Sequence, residues 1–474
     1  MTAKVLWRDS GCKKHSNTGP TPCCALAKAW EIRDALAMTW LDQHPDIETI
    51  CTAIADLNGQ ARGKLMPRAT ADKVFEGQAR MPLSVLNVDI LGRDIADSPL
   101  VFETGDRDGL LKPTERGPVP MPWLTGNASL VPMGLFVDDK TPFAGDPRHA
   151  LAAILGRYLS KGWTVIAATE MEFYLLDDTP ETSSPLADRL STGSEILSLQ
   201  ALEAHEAFFA DLYSACEAMG IPADAASSEA APRQFEINLK HRDAMNAADD
   251  AWLFKMAARG IARQHGMTAT FMAKPVPDHS GTGMHVHFSV LDAEGRNVFD
   301  DGTDAGSEVM RQAVAGCLNS MADATLIFAP HANSYDRLVP ASHAPTNVCW
   351  AYENRTASVR IPAGPGVARR IEHRVAGGDC NPYLLLAALL GSALDGIERG
   401  LTPPAVIEGN AYDQTLPGLA ADWSAAIDRF ETSDAFGFLP NLLRENLVRT
   451  KRQEVTLLAN MSDAEVRALY LDRA

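Results

Sequence analysis

The stretch from Ser280 to Val290, SGTGMHVHFSV, constrains the fold of this chain most strongly. Its alternating pattern predicts a β-strand, in which side chains two positions apart lie on one face. His285 and His287 would then point into the same space, with apolar side chains packed behind them. Imidazoles bind metals and donate hydrogen bonds to phosphates. Two half-buried histidines more often explain an isolated pair, so the interpretation depends on the residues that accompany it.

Carboxylates repeat this spacing elsewhere in the chain. Glu170 and Glu172 alternate in ATEMEFYLL, where the apolar flanks argue against full exposure of both. Two such carboxylates repel each other unless a cation lies between them. Further candidates occur in SSEAAPRQFE and RRIEHR, and the whole set of hard oxygen donors with one imidazole suits Mg²⁺ or Mn²⁺ better than zinc. The six candidate metal ligands are Glu170, Glu172, Glu229, Glu236, His285 and Glu372.

A series of arginines follows these carboxylates. Guanidinium groups beside a carboxylate–metal site bind phosphates and substrate carboxylates well, because they form bidentate hydrogen bonds. Ordinary ion pairing would explain any one of them, but not the whole series. The motifs GxxxxGK[ST], GxGxxG and GxSxG are absent from the sequence. The five arginines are Arg337, Arg355, Arg360, Arg370 and Arg374.

Charge and composition exclude several classes of function. The net charge of −18 argues against a nucleic-acid partner. No apolar run reaches the length of a membrane span, and no signal-peptide core follows Lys4 and Arg8, so we expect a cytoplasmic protein without a membrane partner. Eight scattered cysteines without a CxxC spacing are expected to be reduced packing residues.

The pattern of elements changes near residue 140. A loose extension (1–24), a helix over Ala25–Gln43 and short strands with an Asn-Gly hairpin turn in DLNGQARGK predict a small sheet domain. Helices then alternate with strands to the C-terminus. The predicted strands are Thr164–Leu176, Gln234–Leu239, Thr268–Ala273, Met284–Val290 and Ser358–Ile361. The predicted helices are Pro147–Lys161, Leu199–Met219, Ala247–His265, Glu308–Ala329, Asn381–Arg399 and Asp463–Leu471.

Seven ordered motifs resemble those of the glutamine synthetase family, from about Trp40 to the C-terminus. They are DLNGQARGK, EMEF, SSEAAPRQFE, KP…SGTGMHVHFS, NSYDRLVP, NRTASVRIP and RRIEHRVAGGDCNPYLLLAALL. The resemblance implies an α+β fold with a small N-terminal β-grasp domain (25–140). It also implies a large catalytic domain (141–474) with a curved antiparallel sheet flanked by helices. Active sites would form between subunits of a homo-oligomer of hexameric rings, expected to stack as a dodecamer.

The resemblance also implies a role for each candidate residue. Glu172, Glu229 and Glu236 match the ligands of one Mg²⁺ or Mn²⁺ ion, and Glu170, His285 and Glu372 match those of a second ion on the ATP phosphates. The residues that match glutamate-binding positions are Gly281, Arg337 and Arg374. Those that match positions around ATP are His287, Ser289, Arg360 and Arg370. Arg355 matches the arginine at the transferred phosphoryl group, and Asp56 the aspartate that a neighbouring subunit lends to bind and deprotonate the amine.

The amine end departs from the family pattern. Ammonia-using members have GYEAP after RLVP, but this chain has ASHAP, so His343 replaces the glutamate that closes the site and holds ammonium. A neutral imidazole attracts ammonium poorly. Arg233 stands where the family usually has glycine, and Ser280 where ammonia-using members have asparagine. With APTN…W and RVAGGDCNPY, this pattern resembles the γ-glutamylpolyamine and other γ-glutamylamide synthetases.

The sequence therefore predicts an ATP-dependent ligase that joins the γ-carboxylate of L-glutamate to a primary amine through γ-glutamyl phosphate, in amine utilisation or detoxification. The amine could be a polyamine, an alkylamine or an aromatic amine. A glutamine synthetase that uses ammonia and tolerates His343 is the alternative within this class. A non-catalytic regulator is the alternative from another class, and the complete metal and arginine sets argue against it. Tyr412 aligns with the family's adenylylated tyrosine, but an unmodified loop tyrosine is the simpler interpretation.

Overall fold

A computed structural model describes residues 40–177, 195–471 and 473–474. The predicted extension (1–24) and nearly all of the helix predicted over Ala25–Gln43 lie outside the described residues. Asp46–Ala474 form one compact unit. Among the helices that the structure describes, none is long and apolar enough to cross a membrane.

The first sheet is built from strands that all precede residue 140. Its strand order is β2–β1–β6–β4–β3, and β5 pairs with β6. The pair β1–β6 is parallel and the other pairs are antiparallel. The hairpin predicted at Asn-Gly connects β1 to β2. The strands are β1 Thr49–Ala55, β2 Ala61–Pro67, β3 Ala79–Pro82, β4 Asp108–Pro113, β5 Val119–Pro120 and β6 Ala128–Phe136.

The second sheet is larger and carries the candidate site. Its order is β12–β13–β14–β11–β7–β9–β8, and β10 pairs with β7. The expected antiparallel sheet is in fact mixed, because β12 and β13 run parallel. The strands predicted around residues 170, 236 and 287 are present, whereas β8, β12 and β14 were not predicted. The strands are β7 Thr164–Asp177, β8 Ala223–Ser228, β9 Gln234–Asp243, β10 Met267–Thr270, β11 Met284–Leu291, β12 Trp350–Tyr352, β13 Val359–Ile361 and β14 Ile371–His373.

Helices flank these sheets. Two helices that we predicted as continuous are each broken in two, around residues 204–205 and 322–324. The α-helices are α1 Ala71–Phe75, α2 Pro99–Phe102, α3 Pro147–Ser160, α4 Leu199–Glu203, α5 Glu206–Met219, α6 Ala244–Gln264, α7 Glu308–Met321, α8 Thr325–Phe328, α9 Ser334–Arg337, α10 Pro382–Arg399, α11 Trp423–Thr432, α12 Asn441–Leu458 and α13 Asp463–Leu471.

Helix α10 lies at the centre of the core, against α7, α3 and α6. It is apolar on nearly every side, as expected of a fully buried helix. Its start is fixed locally, because the Asn381 side chain accepts hydrogen bonds from the backbone N–H groups of Tyr383 and Leu384, and Pro382 occupies the first turn. Gly400 ends it in the left-handed conformation. The loop that leads into α10 is thereby held firmly beside the second sheet.

Two long helices, α11 and α12, were not predicted, and neither were the short helices α1, α2 and α9. Helix α12 has a buried face that includes Asn446, Thr450, Lys451 and Glu454. An apolar periodicity of 3.6 residues is the main sequence signal for a helix that packs on a core. Because the buried face of α12 is partly polar and charged, that signal is weak in its sequence.

Candidate active site

Strand alternation separates core side chains from site side chains on β7. Met171 and Phe173 are buried, and Phe173 packs among the aromatic rings of the core. Glu170 and Glu172 point to the opposite face and are half-buried. Because the apolar face is buried against the core, the two carboxylates lie together on the other face of the sheet.

Strand register brings further candidates to the same face. His285 on β11 lies opposite Glu170, and Glu236 on β9 lies opposite Glu172. Glu372 on β14 lies opposite His287 of β11. Residues more than 200 positions apart in sequence therefore form one layer of charged groups across four neighbouring strands.

Glu170 bridges the two histidines that first drew attention to this region. Nδ1 of His285 and Nε2 of His287 each donate a hydrogen bond of 2.8 Å to one oxygen of its carboxylate. Burial favours the neutral carboxyl, but these hydrogen bonds and the histidine charges outweigh it and lower the pKa of Glu170. With its proton on Nδ1, His285 presents the lone pair of Nε2 to a cation.

His287 has a different set of partners. Nε of Arg370 donates to its Nδ1 at 3.3 Å. A neutral imidazole that donates from Nε2 and accepts at Nδ1 satisfies both contacts. His287 therefore links the carboxylate layer to an arginine at the edge of the site, and Ser289 follows on the same face of β11, half-buried.

Glu372 is fully buried between two arginines. Its Oε2 accepts a hydrogen bond of 2.7 Å from Nη1 of Arg360, and its Oε1 accepts from Nη1 of Arg374. Burial by itself raises the pKa of Glu372. The charges of Arg374 and of the two histidines lower it by more, so the net shift is downward. Each carboxylate oxygen has two lone pairs, so these bonds leave capacity for a cation.

Glu229 and Glu236 both have raised pKa values. Burial, reinforced by the carboxylates of Glu172 and Glu170, raises the pKa of Glu229 to about 7. Burial and the neighbouring carboxylates raise the pKa of Glu236 to about 9. Such shifts arise where several carboxylates share a site without a counter-ion. A divalent cation is the natural partner of such a group.

The donor atoms are close enough together to hold metal ions. One ligand atom from each of Glu170, His285 and Glu372 lies within 4.8 Å of the others, and the same is true of Glu172, Glu236 and His285. Four carboxylates and one imidazole in this arrangement fit a hard divalent ion such as Mg²⁺ or Mn²⁺. Glu229 belongs to neither triad, although its raised pKa places it within electrostatic range of the site.

Two glycines allow the backbone to approach these groups. A Cβ on Gly281 would lie 2.5 Å from the carbonyl oxygen of Ala273 and 2.7 Å from Cγ of Arg337. A Cβ on Gly283 would lie 2.9 Å from Nη2 of Arg337 and 3.0 Å from Nε2 of His285. Only glycine fits at either position without displacing these groups. We named Gly281 from the sequence but missed Gly283, although the Gly-Thr-Gly spacing was the available signal.

Gln234 is a further residue that the sequence analysis missed. Its Nε2 donates to the carbonyl of Gly281 at 2.8 Å and lies 3.4 Å from Oε2 of Glu172. It alternates with Glu236 at the start of β9, so the signal was present. Gln234 connects the glycine-containing loop to the carboxylate layer.

The remaining arginines surround this layer. Arg337 is buried and donates from Nη1 to the carbonyl of Val375 at 2.7 Å. Arg374 donates from Nε to the carbonyl of Arg355 at 3.2 Å. The side chain of Arg355 is exposed, and its charge lowers the pKa of Glu229. The five candidate arginines thus each interact with a member of the carboxylate and histidine set.

Asp56 lies in a different environment. It is fully buried in the turn between β1 and β2, where Oδ1 accepts from the backbone N–H groups of Asn58 and Gln60 at 2.9 Å each. Nε of Arg62 donates to its Oδ2 at 2.7 Å. Burial raises the pKa of Asp56, and Arg62 opposes that shift. Within the described part of the chain, its hydrogen-bond partners include Asn58, Gln60, Arg62 and Asn381 and no candidate metal ligand.

The loop that departs from the family pattern has an unusual backbone. His343 is exposed, and both it and Ala341 adopt positive φ angles, 63° and 62°. Oγ of Ser342 donates to the carbonyl of Arg337 at 2.8 Å. The hydroxyl of Tyr412 donates to the carbonyl of Ala344 at 2.8 Å. The loop is therefore held at both ends while its histidine faces outward.

Arg233 also has a positive φ of 62°. This left-handed conformation explains why glycine is usual at the position. The arginine side chain pairs instead with Asp177 at 2.7 Å, at the end of β7.

Comparison with known proteins agrees with this geometry. The family described as glutamine synthetase, catalytic domain, matches residues 144–469, which include every strand of the second sheet. The chain belongs to the glutamine synthetase family. The fold and the γ-glutamylamide branch that the sequence motifs indicated are thereby confirmed.

Members that act on amines are among the similar proteins. γ-Glutamylputrescine synthetase PuuA of Escherichia coli K12 is 35% identical over 406 residues, covering 83% of this chain and 85% of the relative. Glutamate–isopropylamine ligase of a Pseudomonas species is 33% identical, covering 91% and 96%. A solved structure of a GmaS/ADP complex aligns with a TM-score of 0.79 at 27% identity, covering 92% of this chain and 98% of that chain. The comparisons support ligase activity within the family.

Proposed function

We propose that this protein is an ATP-dependent ligase that joins the γ-carboxylate of L-glutamate to a primary amine. The observation that carries the proposal is a layer of four carboxylates and two imidazoles across β7, β9, β11 and β14, surrounded by arginines. Its members are Glu170, Glu172, Glu236, His285, His287 and Glu372. A folding requirement would not collect so many carboxylates, because the raised pKa values of Glu229 and Glu236 cost stability. Divalent ions held there would neutralise negative charge on ATP and on the transferred phosphoryl group.

The reaction has two chemical steps. An oxygen of the γ-carboxylate bonds to the γ-phosphorus of ATP, and ADP leaves with the electron pair of the broken P–O bond. The amine nitrogen then bonds to the acyl carbon of γ-glutamyl phosphate, and phosphate leaves with the electron pair of the C–O bond. The protonated amine loses two protons in all. One goes to the departing phosphate, and the other goes to solvent through a base.

The chain's own residues supply binding and charge stabilisation. Arg337 and Arg374 hold the carboxylates of glutamate through charge-assisted hydrogen bonds. His287 and Arg370, with Ser289 and Arg360 beside them, contact the ATP phosphates. Arg355 stabilises the charge that develops on the transferred phosphoryl group. Asp56 of a neighbouring copy accepts the proton from the amine, for which its raised pKa is suitable.

We further propose that the working enzyme is a ring-shaped homo-oligomer. Asp56 is held in the hairpin of the first sheet, next to the edge strand β2. Most of β2 is exposed, including Leu65, whose relative exposure is 66%. An exposed edge strand with an apolar side chain is a surface that a second copy would cover. Light scattering after size exclusion should then give a mass of six or more subunits, and a monomeric mass would contradict this proposal.

The altered loop supports an organic amine as the substrate in place of ammonium. His343 is exposed at the position where ammonia-using members carry a glutamate, and a neutral imidazole supplies no charge to hold ammonium. The similarity to ligases of putrescine and isopropylamine supports an organic amine. We therefore propose that ammonium is a poor substrate.

A panel of nucleophiles tests the function. Phosphate release should be followed with glutamate, ATP, Mg²⁺ and one of five nucleophiles: a diamine, an amino alcohol, a branched alkylamine, an aromatic amine or ammonium. We expect at least one organic amine to exceed ammonium in kcat/KM by ~10-fold or more. His343→Glu should raise the use of ammonium, and Glu236→Gln serves as the inactive control. Turnover with ammonium alone would make the chain a glutamine synthetase, and no turnover with any nucleophile would refute ligase activity.

A further inference from the structure

The turn that carries Asp56 is fastened to helices from the other end of the chain. Nδ2 of Asn381, at the start of α10, donates to the carbonyl of Asp56 at 2.7 Å. Nε1 of Trp252 on α6 donates to the carbonyl of Gly59 at 3.0 Å. These bonds fix the backbone on two sides of the turn. They leave the tip, Asn58, to be held by its side chain.

Asn58 is held by a buried ion pair on α12. Lys451 and Glu454 are both fully buried, and Nζ of the lysine lies 2.9 Å from Oε2 of the glutamate. Nζ also donates to Oδ1 of Asn58 at 2.5 Å, while Nδ2 of Asn58 donates to Oε1 of Glu454 at 3.2 Å. The amide of Asn58 therefore bonds to both members of the pair and closes a ring of three side chains.

A contribution to stability alone does not account for this ring of three side chains. A buried ion pair usually adds little net stability compared with apolar residues of similar volume, because both charges lose their hydration. Its directional bonds, however, fix the position of whatever they contact. Here the contacted group is the amide whose backbone N–H donates to Oδ1 of Asp56. The pair and the carboxylate are thus connected through one residue.

We propose that Asn58 is a positioning residue for amine activation, through which the Lys451–Glu454 pair sets the place of the Asp56 carboxylate. The inference rests on the proposed function, in which Asp56 accepts the proton of the amine. This buried polar cluster lies outside the metal site and acts in the second chemical step. The first step, formation of γ-glutamyl phosphate, should not depend on it.

The matched variants are Asn58→Ala and Gln453→Ala. Asn58→Ala removes the side-chain hydrogen bonds of Asn58 with Lys451, Glu454 and the carbonyl of Val88, and it leaves Lys451 and Glu454 paired. Gln453 lies on the same helix, and its amide bonds to the neighbouring segment at Asp89, Asp94 and Ala96 but not to the Asp56 turn. Both variants lose hydrogen bonds between α12 and the N-terminal part of the chain, but only one should disturb Asp56.

The measurement separates the two steps. We expect Asn58→Ala to lower kcat/KM for the best amine by ~10-fold or more, because misplacing a catalytic group by about 1 Å can cost up to ~100-fold. ADP formed in a single turnover with glutamate and no amine should stay within ~2-fold of wild type. Hydroxylamine, which is uncharged near neutral pH, should be spared relative to the amine. Gln453→Ala should change none of these rates selectively.

Three outcomes are decisive. A selective loss of amine turnover in Asn58→Ala supports the inference. Equal effects of Asn58→Ala and Gln453→Ala, or a parallel loss of ADP formation, would overturn it while leaving the ligase function intact. Wild-type protein that turns over no nucleophile would refute the proposed function itself. Melting temperatures check folding, and Asn58→Ser, which retains a hydroxyl, is the second variant if Asn58→Ala does not fold.

Discussion

Two polar clusters in this chain, the Asn58–Lys451–Glu454 ring and the carboxylates of the second sheet, differ in how their charge is balanced. Glu454 is fully buried, but Lys451 lies 2.9 Å away and Asn58 completes its hydrogen bonds. Glu229 and Glu236 are only half-buried, yet the carboxylates around them raise their pKa values, and the exposed Arg355 near Glu229 offsets this only in part. The first cluster is complete within the fold. The second needs a cation from outside, which is why unbalanced charge, more than burial, marks the functional site.

The largest expected effect is loss of activity on removing one unbalanced carboxylate. Glu236→Gln should lower kcat by more than ~100-fold, since even residues behind the metal ligands contribute 10–100-fold in similar sites. The same variant, freed of metal by EDTA, should melt at a higher temperature than metal-free wild type near neutral pH. Folded wild type must keep a proton on Glu236 that the unfolded chain releases. A lower melting temperature for the variant would contradict the distinction between the clusters.

The balanced cluster should respond in the opposite way. Glu454→Gln leaves the buried Lys451 without its counter-charge and should lower the free energy of unfolding by roughly 3–5 kcal/mol. Urea denaturation of the two proteins under identical conditions measures this. The double variant Lys451→Met, Glu454→Leu should recover much of the loss, because apolar residues of similar volume replace the pair. No recovery would mean that the charges themselves are needed for folding.

The pH dependence of stability provides a further comparison. Glu229 and Glu236 have folded-state pKa values of about 7 and about 9, above the ordinary value of 4.5. At pH values between the ordinary pKa and the folded-state pKa, the folded protein holds more protons than the unfolded chain. The stability of the metal-free protein should therefore fall as pH rises from about 5 to about 9. One pKa unit corresponds to 1.36 kcal/mol, so we expect the melting temperature to fall by at least ~2 °C.

Saturating Mg²⁺ should reduce the fall of the melting temperature with rising pH. In EDTA, the Glu236→Gln variant should show a smaller fall than wild type. The melting temperature can be followed by scanning calorimetry across that pH range. If the stability of the metal-free protein stays level or increases from pH 5 to 9, the carboxylates do not repel one another as proposed.

The smallest effect is expected at an exposed ion pair. Lys240 and Asp224 lie 3.3 Å apart, and each side chain is more than half exposed. Lys240→Ala should change the free energy of unfolding by ~1 kcal/mol or less, because solvent screens the pair. Urea denaturation again gives the value. A loss as large as that of Glu454→Gln would indicate that burial does not separate the two kinds of pair.

Periodicity in the sequence predicted the two strands at the centre of the site, β7 and β11. Alternation around Glu170 and His285 predicted β7 and β11, and both strands have their apolar side chains in the core. The family motifs gave the same candidate ligands, and the structure brings five of the six together. Glu229 lies on a turn between two strands, where no periodicity fixes the direction of a side chain. Its role and those of the other site residues remain predictions.

Other features were not accessible from the sequence pattern. Helix α12 lacks a clear apolar stripe because Lys451 and Glu454 lie on its buried face. The short strands β12 and β14 contain too few residues to show alternation. Gly283 looked like a turn residue, and only the positions of Arg337 and His285 around it show why a side chain would not fit.

The sequence by itself indicated the family, predicted strands β7, β9 and β11 of the carboxylate layer and pointed to the departure at His343, because these depend on local periodicity and on residue identity. Tertiary structure alone decided which charges are balanced. His285 and Glu170 are 115 residues apart, and Asn58 and Glu454 are 396 apart, yet each pair forms a hydrogen bond. Electrostatic interactions depend on distance and burial in space. The SGTGMHVHFSV strand could therefore be found in the sequence, but the roles proposed for its two histidines required their neighbours.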